Sequence, residues 1–345
     1  MKHLWWIIPL LLLAADLVAG VRVSFFQPKC RVFGKDPFTP VAWFVPSCET
    51  RVRVGTNSTY TLRTNSLGMA DGAVREVPLS VSRRRVLLLG DSFTEGVGSP
   101  WEETFAGILA AKLASQSEIL NAGISGSLPS LYITKVPELL AKGVSFNEAY
   151  VFLDVSDVFE AARFPGDEFA YIKRNFQGKA TLGYYILQEA VCRFFRYSCL
   201  AFRPLDRIPW FQQAFYKGVL RNEWISNDEF YEAWGKKGLS ICAADMDKVS
   251  QLFSEAKIPL TIVVYPWPKQ VHERDHDSRW IRFWREWAGT HGIKFIDLTP
   301  ALTDLGPEAS VSTYYLPLDV HFSAEGHARV AKALLENMSQ GTGAQ

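Results

Sequence analysis

The chain has 345 residues, of which 48% are hydrophobic and 21% charged, and its formal net charge at pH 7 is +1. This length suits one enlarged α/β domain with additions, and the apolar content is sufficient for a folded core. Because neither acidic nor basic residues are in excess, the composition gives no indication of electrostatic capture of nucleic acid.

The amino terminus has the pattern of an export signal: a basic start, an apolar run over residues 4–13, and then small residues. The run is short for a membrane-spanning helix, and Asp16 interrupts its far end. We therefore expect residues 1–20 to be a signal peptide or an amino-terminal membrane anchor over residues 4–19. The mature protein would be exported, either periplasmic or secreted.

Residues 21–82 contain short β-prone runs around residues 41–45 and 60–62, which proline, asparagine and glycine interrupt. Such runs indicate extended structure. We expect an extended amino-terminal addition that lies on the main domain.

Five cysteines are distributed along the chain: Cys30, Cys48, Cys192, Cys199 and Cys242. The pairs closest in sequence are Cys30 with Cys48 and Cys192 with Cys199, which would leave Cys242 free. Spacing does not determine connectivity, and buried reduced cysteines are an equal alternative. These cysteines are compatible with an oxidising compartment but do not require one.

Beyond residue 83, apolar strands alternate with amphipathic helices. Strands are predicted over residues 86–89, 118–121, 148–153, 260–265 and 293–296. Helices are predicted over residues 102–113, 131–140, 243–256, 280–290 and 324–338. This alternation is typical of a parallel sheet covered by helices. It predicts an α/β fold over residues 83–340: a three-layer α/β/α sandwich with a mostly parallel five-stranded sheet.

An aromatic-rich segment, residues 165–240, interrupts this alternation between the third and fourth strands. Its rings include Tyr184, Tyr185, Phe194, Phe195, Trp210, Phe211, Phe215, Tyr216 and Trp224. We interpret the segment as a mostly helical insertion near the mouth of the site. Most of these rings would serve ordinary packing, whereas some could line an acyl or sugar pocket.

The most informative motif is RVLLLGDSFTEG over residues 85–96, in which an apolar strand leads directly into Gly90, Asp91 and Ser92. A serine at the carboxyl end of a parallel strand is where an α/β fold exposes a nucleophile. Alone, the motif could equally be a tight turn with a helix-capping serine. A dinucleotide loop is disfavoured because the glycine spacing is not G-x-G-x-x-G.

A serine nucleophile needs a base, usually a histidine held by a carboxylate. Asp319 and His321 lie in LDVHFSAEGH, directly before the last predicted helix, and a doubly wound sheet would return this loop to the strand edge of Ser92. His327 is the competing histidine, which we expect on the surface or behind the site. A metal pair is disfavoured because no third ligand is nearby.

At these residues the chain resembles the SGNH hydrolases, also called the GDSL esterase and lipase superfamily. The first family block matches at residues 90–92, and the second matches NAGISG over residues 121–126 with Gly126 as its glycine. The TNSLG segment at residues 64–68 resembles a segment that often precedes the nucleophile strand in exported bacterial members. Two departures stand out: Ser156 replaces the asparagine of the third block, and Asp319 precedes His321 by two residues where three are common.

The resemblance implies a flavodoxin-like SGNH fold and a Ser92–His321–Asp319 triad that acts on an acyl ester of a glycan, lipid or small molecule. The oxyanion hole would comprise the N–H groups of Ser92 and Gly126, helped by Ser156. No metal or organic cofactor is implied. Two alternatives stay open: an O-acyltransferase acting on a cell-envelope polysaccharide, and a catalytically silent glycan-binding protein.

Overall fold

The computed structural model describes residues 7–25, 30–33, 41–54, 58–162, 220–317 and 319–340. Residues 165–219 of the expected aromatic insertion, together with Cys192 and Cys199, lie outside the described residues. Trp224, at the end of that segment, is described and fully buried.

The described residues form ten strands. They are β1 (Arg31–Phe33), β2 (Val41–Phe44), β3 (Glu49–Val54), β4 (Ser58–Thr64), β5 (Ala70–Asp71), β6 (Arg84–Leu89), β7 (Ser117–Asn121), β8 (Glu148–Leu153), β9 (Leu260–Val264) and β10 (Lys294–Asp297). Eight of them form one sheet in the order β10-β9-β8-β6-β7-β5-β4-β3, and β1 and β2 form a separate antiparallel pair.

Five neighbouring strands, from β10 to β7, are parallel, which confirms the predicted α/β fold with a parallel core of five strands. Their order corresponds to the flavodoxin-like arrangement 2-1-3-4-5. Residues 86–89 of β6 are completely buried, as expected for a strand covered on both faces.

The amino-terminal addition extends this sheet, because β5 pairs antiparallel with β7 through Ala70 and Asn121, and β4 and β3 continue outward from β5. The sheet therefore has three more strands than the sequence predicted. A disulfide joins Cys30, directly before β1, to Cys48, directly before β3, whereas Cys242 is free and buried.

Twelve helices are described. They are α1 (Ile7–Phe25), α2 (Ser92–Glu95), α3 (Phe105–Lys112), α4 (Pro129–Ala141), α5 (Val155–Ala161), α6 (Asp228–Phe230), α7 (Lys236–Glu255), α8 (Pro268–Glu273), α9 (Arg279–His291), α10 (Thr299–Leu302), α11 (Pro307–Tyr314) and α12 (Ala324–Gln340). Two 3-10 turns (Trp101–Glu103 and Leu220–Ile225) and one π turn (Tyr231–Gly235) complete the described helical structure.

The helices form the two outer layers of the sandwich. On one face α4 and α5 pack against α7, and the Trp287 indole of α9 donates to Asp247 of α7 at 2.8 Å. On the other face α3 packs against α12. Among the described helices, α1 included, none combines the length and apolar character that crossing a bilayer requires.

Candidate active site

Ser92 lies at the carboxyl end of β6, where the chain leaves the central strand of the parallel sheet. The next strand, β7, lies on one side of β6 and the following strand, β8, on the other. Ligands bind at such a switch point in doubly wound sheets. Gly90 allows the sharp entry into α2, since a Cβ at this position would lie 2.0 Å from Thr94 Oγ1.

Asp91 caps α2 and contacts the nucleophile candidate. Its carboxylate accepts hydrogen bonds from the Phe93 N–H at 3.0 Å, the Tyr265 hydroxyl at 3.1 Å and the Ser92 hydroxyl at 3.2 Å. Burial, followed by the negative charge of Asp154, raises the pKa of Asp91 to about 8. Asp91 therefore takes up a proton at a higher pH than an ordinary aspartate does.

Asp319 and His321 form a close pair in the loop before α12. The Nδ1 atom of His321 lies 2.5 Å from Asp319 Oδ1, which also accepts the backbone N–H of His321 at 3.1 Å. Burial lowers the pKa of His321, but the charge and hydrogen bond of Asp319 outweigh it, and the pKa lies above its ordinary value. With Nδ1–H donated to Asp319, Nε2 is the nitrogen that can accept a proton.

The Phe93 ring brings the imidazole to the helix that carries Ser92. Its centroid lies 5.0 Å from that of His321 and 4.8 Å from those of Tyr265 and Phe322. Within the described chain, no hydrogen bond joins the Ser92 hydroxyl to His321, and Nε2 has no hydrogen-bond partner. The structure thus places the His321 imidazole against Phe93, the residue that follows Ser92.

Two backbone N–H groups are available near this edge. Gly126, in the loop after β7, has φ +79°, and a Cβ built on it would meet no atom within 4 Å. Across the described residues, neither the Gly126 N–H nor the Ser92 N–H has a hydrogen-bond acceptor. Such unpaired donors are the groups that can bind an oxyanion.

Ser156 is committed to a different partner. Its hydroxyl donates to Asp154 Oδ1 at 2.6 Å, and its N–H donates to the same oxygen at 2.8 Å. The N-cap of α5 is Asp154, and the Ser156 hydroxyl is held by this carboxylate.

The carboxyl end of the sheet holds three buried acidic side chains: Asp91, Asp154 and Asp157. The Trp267 indole donates to Asp154 Oδ2 at 2.8 Å, and the Asp154 N–H donates to Asp157 Oδ2 at 3.0 Å. Burial and the charges of Asp154 and Asp91 raise the pKa of Asp157 well above its ordinary value. In the part of the chain that the structure covers, no three His, Cys, Asp or Glu side chains are arranged to hold a metal ion.

Sequence reasoning missed Tyr265 and Trp267, which contact Asp91 and Asp154. The available signal was their position directly after β9, because the carboxyl ends of parallel strands meet at one edge. Of the two positions expected for His327, on the surface or behind the site, the surface position is excluded, since this residue is 1% exposed. Its Nδ1 accepts the Phe105 N–H at 3.2 Å, and burial lowers its pKa to about 3.

No protein-family model matches the chain, and no curated protein sequence matches it. Solved structures do resemble it. The esterase EstA from Pseudoalteromonas sp. is 10% identical, with 75% of this chain and 98% of that chain covered and a TM-score of 0.44.

Two further structures are similar in the same way. A lipolytic protein of the G-D-S-L family from Veillonella parvula is 14% identical, covering 73% of this chain and 97% of its own, with a TM-score of 0.36. An acetyl xylan esterase from Geobacillus stearothermophilus is 13% identical, with 73% of this chain and 93% of that chain covered and a TM-score of 0.38. At these identities and TM-scores, the similarities do not assign a family or an activity to this chain.

Proposed function

We propose that this chain is an SGNH-type serine hydrolase that cleaves O-acyl esters, with Ser92 as nucleophile, His321 as base and Asp319 as the group that orients the imidazole. The observation that carries the proposal is the Asp319–His321 pair, which leaves Nε2 free and lies against the ring of Phe93, the residue after Ser92.

In the proposed reaction, the Ser92 hydroxyl turns from the Asp91 carboxyl group toward His321 Nε2. As the hydroxyl oxygen bonds to the ester carbonyl carbon, its proton passes to Nε2. The imidazolium then donates this proton to the departing alcohol, which leaves an acyl-serine. Water attacks the acyl-serine with His321 again as base, and release of the carboxylic acid restores the serine. The raised pKa of His321 suits a group that must hold the proton between these steps.

The oxyanion that forms at each attack would be stabilised by the N–H groups of Ser92 and Gly126. Removal of one such donor typically lowers kcat by about 100- to 1000-fold. Because the hydroxyl of Ser156 donates to Asp154, we assign it no more than a supporting role in this hole.

The substrate class and the location follow as further parts of the proposal. An O-acyl ester of an envelope glycan or lipid would suit an exported enzyme, and the Cys30–Cys48 disulfide suits an oxidising compartment. Residues 4–19 would act as the export signal or as a membrane tether.

Hydrolysis of p-nitrophenyl acetate tests the catalytic assignment. Wild-type turnover should fall by at least about a thousandfold in Ser92→Ala, because the nucleophile is removed. Ser310→Ala is a matched control, since this serine is buried in α11 and its hydroxyl accepts only the Leu305 N–H in the described chain. Equal rates for wild type and Ser92→Ala would remove the triad, and absence of turnover in both would favour a silent binding protein.

Acyl transfer is distinguished from hydrolysis by adding an oligosaccharide acceptor to the same assay. Mass spectrometry then reports whether the acetyl group appears on the sugar or only as free acetate. Acetylated sugar that depends on Ser92 would favour the O-acyltransferase, whereas acetate alone supports hydrolysis.

A further inference from the structure

The loop that carries Gly126 is held in place by contacts at several points along residues 122–126, here called the oxyanion loop. The Ala122 carbonyl accepts the Lys135 ammonium at 2.8 Å, and the Ile124 N–H donates to the Gly90 carbonyl at 3.1 Å. Gly123 packs closely on α2, because a Cβ there would lie 2.6 Å from the Glu95 nitrogen. The loop is therefore fitted against the segment that carries Ser92.

Glu95 joins this loop to the nucleophile segment through its side chain. It is the last residue of α2, the helix that Ser92 begins, and its Oε2 accepts the Ser125 N–H at 2.8 Å. Ser125 directly precedes Gly126, so this bond acts on the peptide unit adjacent to the proposed oxyanion donor. The Glu95 side chain is completely buried.

A buried carboxylate is costly unless it is paired and fully hydrogen-bonded. Arg31 supplies the pairing: its guanidinium binds both carboxylate oxygens of Glu95, with Nη1 3.1 Å from Oε2 and Nη2 against Oε1. A two-pronged pair of this kind fixes the orientation of the carboxylate as well as its charge. Arg31 thereby determines which way Glu95 points its acceptor for Ser125.

Arg31 belongs to the β1–β2 pair, 64 residues before Glu95. The neighbouring Cys30 is tied by its disulfide to Cys48, and the guanidinium carbon lies 5.1 Å from the Phe44 ring centroid. On the same strand as Phe44, the Trp43 ring lies 4.7 Å from the Lys135 ammonium that holds Ala122. The Arg31 guanidinium and the Lys135 amino group, which both hold the oxyanion loop, thus lie against aromatic rings of β2 in this one disulfide-linked pair of strands.

We infer that the β1–β2 pair, closed by the Cys30–Cys48 disulfide, braces the oxyanion loop, and that Arg31 and Glu95 are positioning residues for the Gly126 N–H. The inference rests on the proposed function, because it takes Gly126 as an oxyanion donor. Neither Arg31 nor Glu95 touches the substrate. They act by holding the loop in the geometry that stabilises the tetrahedral intermediate.

Arg31→Met tests this brace, because it keeps much of the side-chain length and removes the charge. We expect kcat for p-nitrophenyl acetate to fall by about 10- to 100-fold with KM nearly unchanged, since an oxyanion donor acts on the transition state and not on ground-state binding. Arg31→Lys should recover part of kcat because it restores a cation to Glu95. Arg63→Met is the matched control: it removes an exposed ion pair between Arg63 of β4 and Glu49 of β3, and it should leave both constants at the wild-type level.

Inhibition by phenylboronic acid gives a second readout that a general loss of stability would not produce. Its tetrahedral adduct with the nucleophile places an oxygen in the oxyanion position, so its affinity should weaken in Arg31→Met by the same factor as kcat. If Arg31→Met does not fold, the double variant Cys30→Ala/Cys48→Ala provides the test. We expect kcat and the affinity for the boronate to decrease together in this variant, by a smaller factor than in Arg31→Met.

If folded Arg31→Met keeps the wild-type kcat, or if only its KM rises, the proposed role of the β1–β2 pair is refuted. The triad would still be supported as long as Ser92→Ala is inactive. Turnover that survives in Ser92→Ala would overturn the proposed function itself, so the two failures are distinguishable.

Discussion

Two histidines six positions apart occupy contrasting surroundings. His321 lies in the loop before α12, and His327 lies in the first turns of that helix. Both are largely enclosed, and burial alone lowers the pKa of each. Asp319 reverses the effect at His321, whereas among the described residues no carboxylate pairs with His327, and its pKa falls to about 3.

Burial of a histidine side chain is therefore not sufficient to identify it as a catalytic base. His327 faces Phe105 and Phe322, accepts one backbone N–H and stays neutral over the whole physiological range. His321 combines a free Nε2 with a carboxylate that stabilises its protonated form. Only the second arrangement can take up and release a proton near neutral pH.

The largest expected difference between the two histidines is in turnover. His321→Gln should lower kcat by at least about a thousandfold, because the base is lost. His327→Asn should leave kcat close to wild type, since the asparagine carbonyl can still accept the Phe105 N–H. Stopped-flow or steady-state hydrolysis of p-nitrophenyl acetate measures both, and a comparable loss in the two variants would contradict the contrast.

Removal of the carboxylate should make the environment of His321 more like that of His327. Asp319→Asn is expected to lower kcat by about 100- to 10,000-fold through loss of orientation and charge. The pKa of His321 should fall, because Asp319 contributes most of the effect that opposes burial, and only the weaker effects of Asp91 and Asp154 remain. The acid limb of the kcat/KM profile should therefore lie at lower pH in Asp319→Asn than in wild type. An unshifted limb would show that Asp319 does not set this pKa.

The smallest expected effect is on stability in acid. The folded-state pKa of His327 is about 3 and its unfolded value is near 6.5, so between these values the unfolded chain binds more protons. Stability therefore falls as pH falls through this window, by about 1.4 kcal/mol per pH unit from this group. Urea unfolding measures the free energy of unfolding at pH 6.5 and at pH 5. Between these two pH values it should decrease by about 2 kcal/mol more in wild type than in His327→Asn. Equal losses would mean that His327 titrates normally.

Much of the fold was predictable because the central strands are buried on both faces and produce continuous apolar runs. The strand at Glu148–Leu153 was predicted with its observed bounds. The pairing of β5 with β7 was not predictable, because β5 has only two residues and one register contact, at Ala70 and Asn121. Such a short strand carries no periodic signal.

The candidate site was predictable where a motif carries it, as at Ser92, Gly126 and His321. The side-chain contacts that hold these residues in place were not predictable, because most of them join segments that are distant in sequence. The sequence does not indicate that the Arg31 side chain meets Glu95 or that the Ser156 hydroxyl turns to Asp154, since either residue type is common on a protein surface.

The central claim is that one serine is made nucleophilic by one histidine at this sheet edge. Covalent labelling with an alkyl fluorophosphonate, followed by peptide mass spectrometry, tests it directly. We predict a single adduct on Ser92 in wild type, formed at a rate that falls at least about a hundredfold in His321→Gln and is little changed in His327→Asn. An adduct on another residue, or equal labelling of Ser92 with and without His321, would contradict it.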